Sequence, residues 1–236
     1  MRRIVATQLF AAPRKVTKRL LMNMPAKLTK GERTRAHIVA SAATMFWRKS
    51  FNGVSVDDIA AEAQVNKATI YRYFADKADL ALAVTRHQGV LTLNHIFDAS
   101  FAEHGAPDAR LASIYAKAHF VHVQTMKEEG DIFGCPIIGL AMELSFEMPR
   151  IREEAQRIFA QVEERLTEIA RQSVTAGRIN ADADQIGSTL MNLMHGSFAS
   201  ARIASDPDRV LEAGKASLAL IGFPETNIPE LDGENP

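Results

Sequence analysis

An all-α protein of about nine helices is what the sequence predicts, with a small helix-turn-helix domain ahead of a larger helical one. Three observations predict it. Ala and Leu recur throughout while only 7% of residues are aromatic, a composition that favours helix. Apolar residues return every three or four positions from Thr34 almost to the end. No segment alternates with the period of two that marks a strand, and there is no internal repeat or glycine-rich phosphate loop.

The elements follow in order. Ile38, Ala42, Met45 and Phe46 form the core-facing stripe of a first helix, stopped at Asn52-Gly53. Ser55 with Asp58 three residues on is a capping-box pattern that starts a second, whose apolar face is Ile59 and Ala63. Asn66 is a good N-cap for a third, with Ile70 and Phe74 on its buried side. Asp76 caps a fourth, expected to run to about Ser100. "EHGAPD" breaks the pattern before a helix over 109–127, which "EEGD" ends. Pro136 suits the first turn of a helix over about 137–147. A long stripe from Ile151 through Ala170 follows Pro149 and lasts until Gly177. Two last helices are expected over about 183–204 and 207–221, then a polar tail, 224–236, with little to fold around. The expected domains are 29–80 and 81–223. Residues 1–28 are read as a basic disordered tail outside the fold, with Met22 and Met24 as alternative translation starts.

Lys/Arg and Asp/Glu balance at 28 each, but not locally. Residues 1–75 hold 14 basic and 4 acidic side chains, and residues 76–236 hold 14 and 24. A basic front on an acidic body suggests that the front meets a polyanion. Eight of those basic residues lie in residues 1–31, so a solvated tail accounts for part of the excess. A single cysteine, Cys135, excludes an internal disulfide and any Cys-rich zinc site, which fits a reducing cytoplasm. No apolar run nears the roughly 18 residues that span a bilayer, so no membrane partner is expected.

Residues 55–74 carry the chemistry. With Ile70 and Phe74 turned inward at 100° per residue, Ala68 and Arg72 face directly away, Thr69 and Tyr71 flank them, and Lys67 reaches out from the first turn. Arg and Lys can donate to a guanine edge, and Thr or Ala can meet a thymine methyl, so this face suits a DNA major groove. Tyr73 would emerge at the side, where a phosphate runs; Lys77 and the helix start at Ser55 offer further phosphate contacts. An ordinary helical hairpin with a solvated face has the same periodicity.

The stretches "IVASAATMF" and "GVSVDDIAAEAQVNKATIYRYFADKADL" closely resemble the DNA-binding domain of the tetracycline-repressor (TetR) family of transcriptional regulators. Thr69, Ile70, Tyr71, Tyr73, Phe74 and Lys77 all fit the family pattern, whereas Gln64 stands where the family usually has Gly. The resemblance implies an all-helical homodimer whose second domain takes a small molecule. It implies base contacts from Lys67, Ala68, Thr69, Tyr71 and Arg72, and phosphate contacts from Ser55, Tyr73 and Lys77, on a double-stranded DNA operator. "GCPIIGLAMEL" carries a weaker likeness to some members.

In the larger domain, Ile186, Leu190, Leu193, Met194, Ser197, Phe198 and Ala201 form one apolar face, and Val210, Leu211, Gly214, Ser217, Leu218 and Ile221 another. They read as a homodimer interface or as closure of the protomer core. Candidate contacts for an apolar or aromatic small-molecule effector are His119, Cys135, Met142, Phe146, Met191 and His195, each also ordinary core material. No metal site or cofactor is expected: His119 and His122 share a face without an acidic or Cys partner at ligand spacing. No Ser/His/Asp or paired-carboxylate arrangement supports an enzyme. Cys135, just before a helix start, is either a thiol sensor or a small buried hydrophobe. The expected function is a ligand-responsive regulator, a repressor for preference; the alternatives are a DNA-binding regulator without effector and a sensor acting through Cys135.

Overall fold

The computed structural model describes residues 29–231, so the readings for 1–28 and for 232–236 lie outside the described residues. These residues form helices and no strand. The helices are α1 (Lys30–Lys49), α2 (Val56–Glu62), α3 (Lys67–Tyr73), α4, α5 (Pro107–Glu129), α6 (Pro136–Leu144), α7 (Pro149–Thr175), α8 (Ala183–Ala204) and α9 (Asp208–Leu220). α4 runs as α-helix over Lys77–Thr92, π-helix over Leu93–Asp98 and α-helix over Ala99–Glu103. Counting α4 once, the described residues hold nine helices, as the periodicity predicts.

Proline stands at the first residue of α5, α6 and α7, where its missing N–H has no intrahelical partner to lose. Three boundaries differ from expectation. α1 stops at Ser50, whose φ is 64°, and not at Asn52-Gly53. Gly53 serves a close approach instead, since a Cβ there would lie 2.0 Å from the Lys49 carbonyl oxygen. α4 passes through a π turn and outruns Ser100, with Leu93, Ile96 and Phe97 of that turn buried. The segment after α9 is not all loose tail. Thr226 donates to Asp108 (3.0 Å), and the Ile228 side chain packs where Gly214 leaves room.

Two compact units result, and they are not the two consecutive stretches expected. One holds residues 29–90 with 136–156, and the other holds Leu91–Cys135 with residues 157–231. Ile38, Phe46, Phe51, Ile59, Ile70, Phe74 and Leu80 make the core of the first unit, joined there by Leu140, Leu144 and Ile151. Each such side chain contributes about 1.5–3 kcal/mol by leaving water. α6 therefore completes the core beneath the helix-turn-helix.

In the second unit Leu111, Ile114 and Tyr115 of α5 are buried, as are Ile158, Leu166 and Ile169 of α7, Leu190 and Met194 of α8, and Val210 and Leu218 of α9. The Tyr115 hydroxyl meets Ser217 Oγ at 2.8 Å, and burial raises its pKa to about 12. Gly214 lets α9 close on α5, because a Cβ there would sit 2.8 Å from the Tyr115 ring.

Candidate nucleic-acid interface

The helix-turn-helix is built from short-range caps. Ser55 Oγ accepts from the Asp58 N–H (3.1 Å), and Asp58 accepts from the Ser55 N–H (2.8 Å), the reciprocal box the sequence predicts. Hydrogen bonds from Ser55 hold the Asp58 carboxyl below its usual range. Asn66 Oδ1 accepts from both the N–H and the hydroxyl of Thr69, 2.7 Å each, which starts α3. Asp76 caps α4 through the Asp79 N–H (2.7 Å). The turn between α2 and α3 places Gln64 at φ 53°, the left-handed conformation that glycine adopts without cost. His37 of α1 braces this turn by donating from Nε2 to the Ala63 carbonyl at 3.0 Å.

Ile70 and Phe74 are buried as predicted, each 1% exposed. That leaves Lys67, Ala68, Tyr71 and Arg72 exposed on α3 and Ser55 exposed at the start of α2, with Thr69 and Tyr73 half-buried. Tyr71 is 47% exposed, an unusual position for a large aromatic, and its ring has no ring partner among the described residues. The Arg72 guanidinium lies 4.9 Å from the Tyr73 ring centroid and donates to its hydroxyl at 3.2 Å. Lys67 forms an ion pair with Asp57 at 2.8 Å, and the hydrogen bond to that carboxylate raises its pKa. The basic excess of the front is modest here: residues 29–75 hold seven Lys/Arg and four Asp/Glu.

Lys77 departs from its expected place as an outward phosphate contact. Its Nζ donates to the Phe51 carbonyl at 2.6 Å and lies 4.0 Å from the centre of the Phe51 ring. Partial burial lowers its pKa, opposed by Glu143 and Asp58 nearby. Glu143 of α6 accepts from the N–H groups of Phe51 and Asn52, 2.8 Å each. No signal in the sequence marks Glu143, because its partners lie more than ninety residues away.

The six expected effector contacts are not gathered in one buried place. Met142 and Phe146 are 76% and 88% exposed and lie in the first unit; the stripe spacing on α6 puts Ile137, Leu140 and Leu144 inward instead. Met191 is buried, and His195 packs edge-on against Phe159 at 4.8 Å between centroids, both within the second unit. His119 has an acidic partner after all, Asp208 at 3.0 Å, supplied by α9. Cys135 is half-buried at the residue before α6, neither the deep hydrophobe nor the open thiol of the two readings. The expected interface faces also divide. Leu190, Met194, Ser197, Ala201, Val210, Gly214, Ser217, Leu218 and Ile221 are buried within the single chain, and the outer edges of those helices remain open.

Known proteins give this geometry its context. The sequence profile of "Bacterial regulatory proteins, tetR family" matches residues 38–84, and that of "Tetracyclin repressor-like, C-terminal domain" matches residues 109–216, together more than half the chain. The transcriptional regulator AcuR of Cereibacter sphaeroides is 27% identical over 137 residues, 58% of this chain and 60% of its own length. An uncharacterised helix-turn-helix regulator of Lactococcus lactis is 24% identical over 57% of this chain and 67% of its own length. The fold matches a TetR regulator from Chloroflexus aurantiacus with a TM-score of 0.68 at 25% identity, covering 82% of this chain and 96% of that one. It also matches a TetR-family regulator from Agrobacterium tumefaciens with a TM-score of 0.71 at 19% identity, covering 80% and 98%. These are transcription regulators and not enzymes. With both family domains in order along the sequence and the capped helix-turn-helix in place, the chain belongs to the TetR family of DNA-binding transcriptional regulators.

Proposed function

We propose that the protein is a ligand-responsive repressor that binds a palindromic operator as a homodimer in the bacterial cytoplasm and leaves it when a small effector enters the second unit. The exposed face of α3 carries the reading: Lys67, Ala68, Tyr71 and Arg72 point away from a well-packed core, and the contacts that Lys67 and Arg72 make lie on the surface. Lys67, Ala68, Thr69, Tyr71 and Arg72 meet base edges in the major groove, and Ser55 and Tyr73 meet phosphates. Two such units need a two-fold axis to read a palindrome. The open edges of α8 and α9 suit that axis, with Asn192, Gly196, Ser200 and Ala213 around a shallow hollow of about 440 Å³.

His122 supports an effector. Its Nδ1 donates to the Ala118 carbonyl at 2.8 Å, and burial lowers its pKa, so the ring is neutral and Nε2 is an acceptor. That buried Nε2 has no hydrogen-bond partner among the described residues, and the ring stacks on Phe198 at 5.1 Å. A planar effector with one O–H or N–H donor satisfies both. Repression is relieved if the effector binds the DNA-incompetent state more tightly.

Selection of duplexes from a random pool tests the reading. The wild type should enrich a two-fold symmetric consensus. Arg72→Ala should weaken binding to it by about 1–3 kcal/mol, roughly 5- to 150-fold, with an unchanged melting temperature. An enriched site without symmetry, or an Arg72→Ala protein that binds the consensus like wild type, would overturn it.

A further inference from the structure

We infer that Glu143 is the positioning residue that sets the register of the DNA-reading helices, acting from α6 through the backbone of Phe51. The observation is a grip on one residue from two sides. The Glu143 carboxylate accepts from the Phe51 and Asn52 N–H groups with its two separate oxygens, 2.8 Å each. The Lys77 ammonium takes the carbonyl of the same Phe51 at 2.6 Å and covers its ring. Both ends of the Phe51 residue are thus held by side chains of α4 and α6, and its ring packs 5.5 Å from that of Phe46.

This turn is where such a grip has leverage. α1 has already ended at Ser50, so the Phe51 and Asn52 N–H groups are not engaged in its ladder. Four residues after Phe51 comes Ser55, the N-cap of α2, and α2 leads through one tight turn into α3. Moving α6 by a fraction of an ångström along its axis lengthens two charge-assisted hydrogen bonds together. Hydrogen bonds of that kind are shorter and stronger than neutral ones. Along the chain, α6 begins directly after Cys135, where the second unit's Leu91–Cys135 segment ends. A change in that segment is passed covalently to the helix that carries Glu143.

The test rests on DNA binding by the family but not on any effector. The wild type first selects its consensus duplex from a random pool; failure to select one speaks against the operator reading and not against Glu143. Glu143→Gln then keeps the side-chain shape, removes the charge and turns one acceptor into a donor facing an N–H. Affinity for the consensus duplex should fall about tenfold, and amide exchange at Phe51 and Asn52 should quicken at least about tenfold while the α5 amides stay protected. The sign is informative. Removing a negative charge tightens binding to any polyanion, so a loss reports position and not bulk electrostatics. Glu147→Gln removes the same charge from an exposed side chain just past α6 and should hold or slightly raise affinity. Glu143→Asp, charged but shorter by one methylene, takes the same measurements should Glu143→Gln not fold. Unchanged consensus affinity, an equal loss on random duplex, or failure of both variants to fold overturns the assignment.

Discussion

Within residues 55–79 the caps that start the helices span three residues: Ser55 with Asp58, Asn66 with Thr69, Asp76 with Asp79. In the second unit polar contacts join residues 62 to 118 apart: Arg110 with Gln172, Arg165 with Asp98, Tyr115 with Ser217, Thr226 with Asp108. The first region starts its helices with local caps and turns Lys67, Tyr71 and Arg72 outward, while Glu143, Lys77 and His37 hold its turns from farther along the chain. The second makes its shape by bringing distant helices together, and its polar groups are consumed or buried in doing so. The difference predicts that the outer face of α3 accepts substitutions that leave the fold alone and that the interior of the second unit does not.

Two substitutions on one helix give the largest effect and the sharpest contrast. Leu190 is wholly buried, so Leu190→Glu strands a charge in the interior and should cost about 3–5 kcal/mol of stability. Thermal melts followed by circular dichroism should show it as a collapsed or absent transition. Gly196, on the open edge of the same helix, has nothing within 4 Å of where a Cβ would stand. Gly196→Glu should therefore melt like wild type and, if a second copy packs on this edge, sediment as a monomer. A Gly196→Glu protein that stays dimeric would move the two-fold axis elsewhere.

Acid should weaken the second unit next. His95, His122 and His195 lie in it, and burial lowers the pKa of each. The folded state therefore binds protons less readily than the unfolded chain. Stability is complete above the unfolded value near 6.5 and is lost as pH falls towards the folded values. For a deeply buried ring such as His122 the slope approaches about 1.4 kcal/mol per pH unit. The melting temperature should be lower at pH 5.5 than at pH 7.5, and His122→Phe, which sets a ring of fixed charge against Phe198, should narrow the gap. Equal narrowing by a surface His substitution would remove His122 from the account.

The same contrast explains what could be read in advance. The three N-caps Ser55, Asn66 and Asp76 were legible because their partners sit within one helical turn, and so was the outward face of α3, which follows from Ile70 and Phe74 alone. The helix count was legible from periodicity. The role of Lys77 was not: its position in the motif suggested a phosphate, while its actual partner is a carbonyl 26 residues back. Nor was the membership of α6 in the first unit, which depends on Leu140 and Leu144 meeting residues from α1 to α4. Met142 and Phe146 looked like pocket residues because apolarity shows in a sequence and exposure does not.

The smallest effect should come from Gln64, and it tests whether the turn between α2 and α3 sets stability without touching DNA. α2 ends in a Schellman motif: the Val65 N–H bonds the Ala60 carbonyl at 3.0 Å and the Gln64 N–H bonds the Ala61 carbonyl at 3.2 Å. Ala60 is buried, and Val65 packs against the same core, the apolar contact that accompanies this motif. Gln64 fills the position that needs a left-handed backbone, at φ 53°, with an exposed side chain. A side chain held there costs about 1–2 kcal/mol, and glycine gives back roughly 0.5–1 kcal/mol by loosening the unfolded chain. Gln64→Gly should therefore stabilise the protein by about 0.5–1 kcal/mol, seen as a higher denaturant midpoint at constant slope, with consensus-duplex affinity within twofold of wild type. Stabilisation with lost affinity would mean that Gln64 itself touches DNA, and the reading face would then extend from α3 back into the turn.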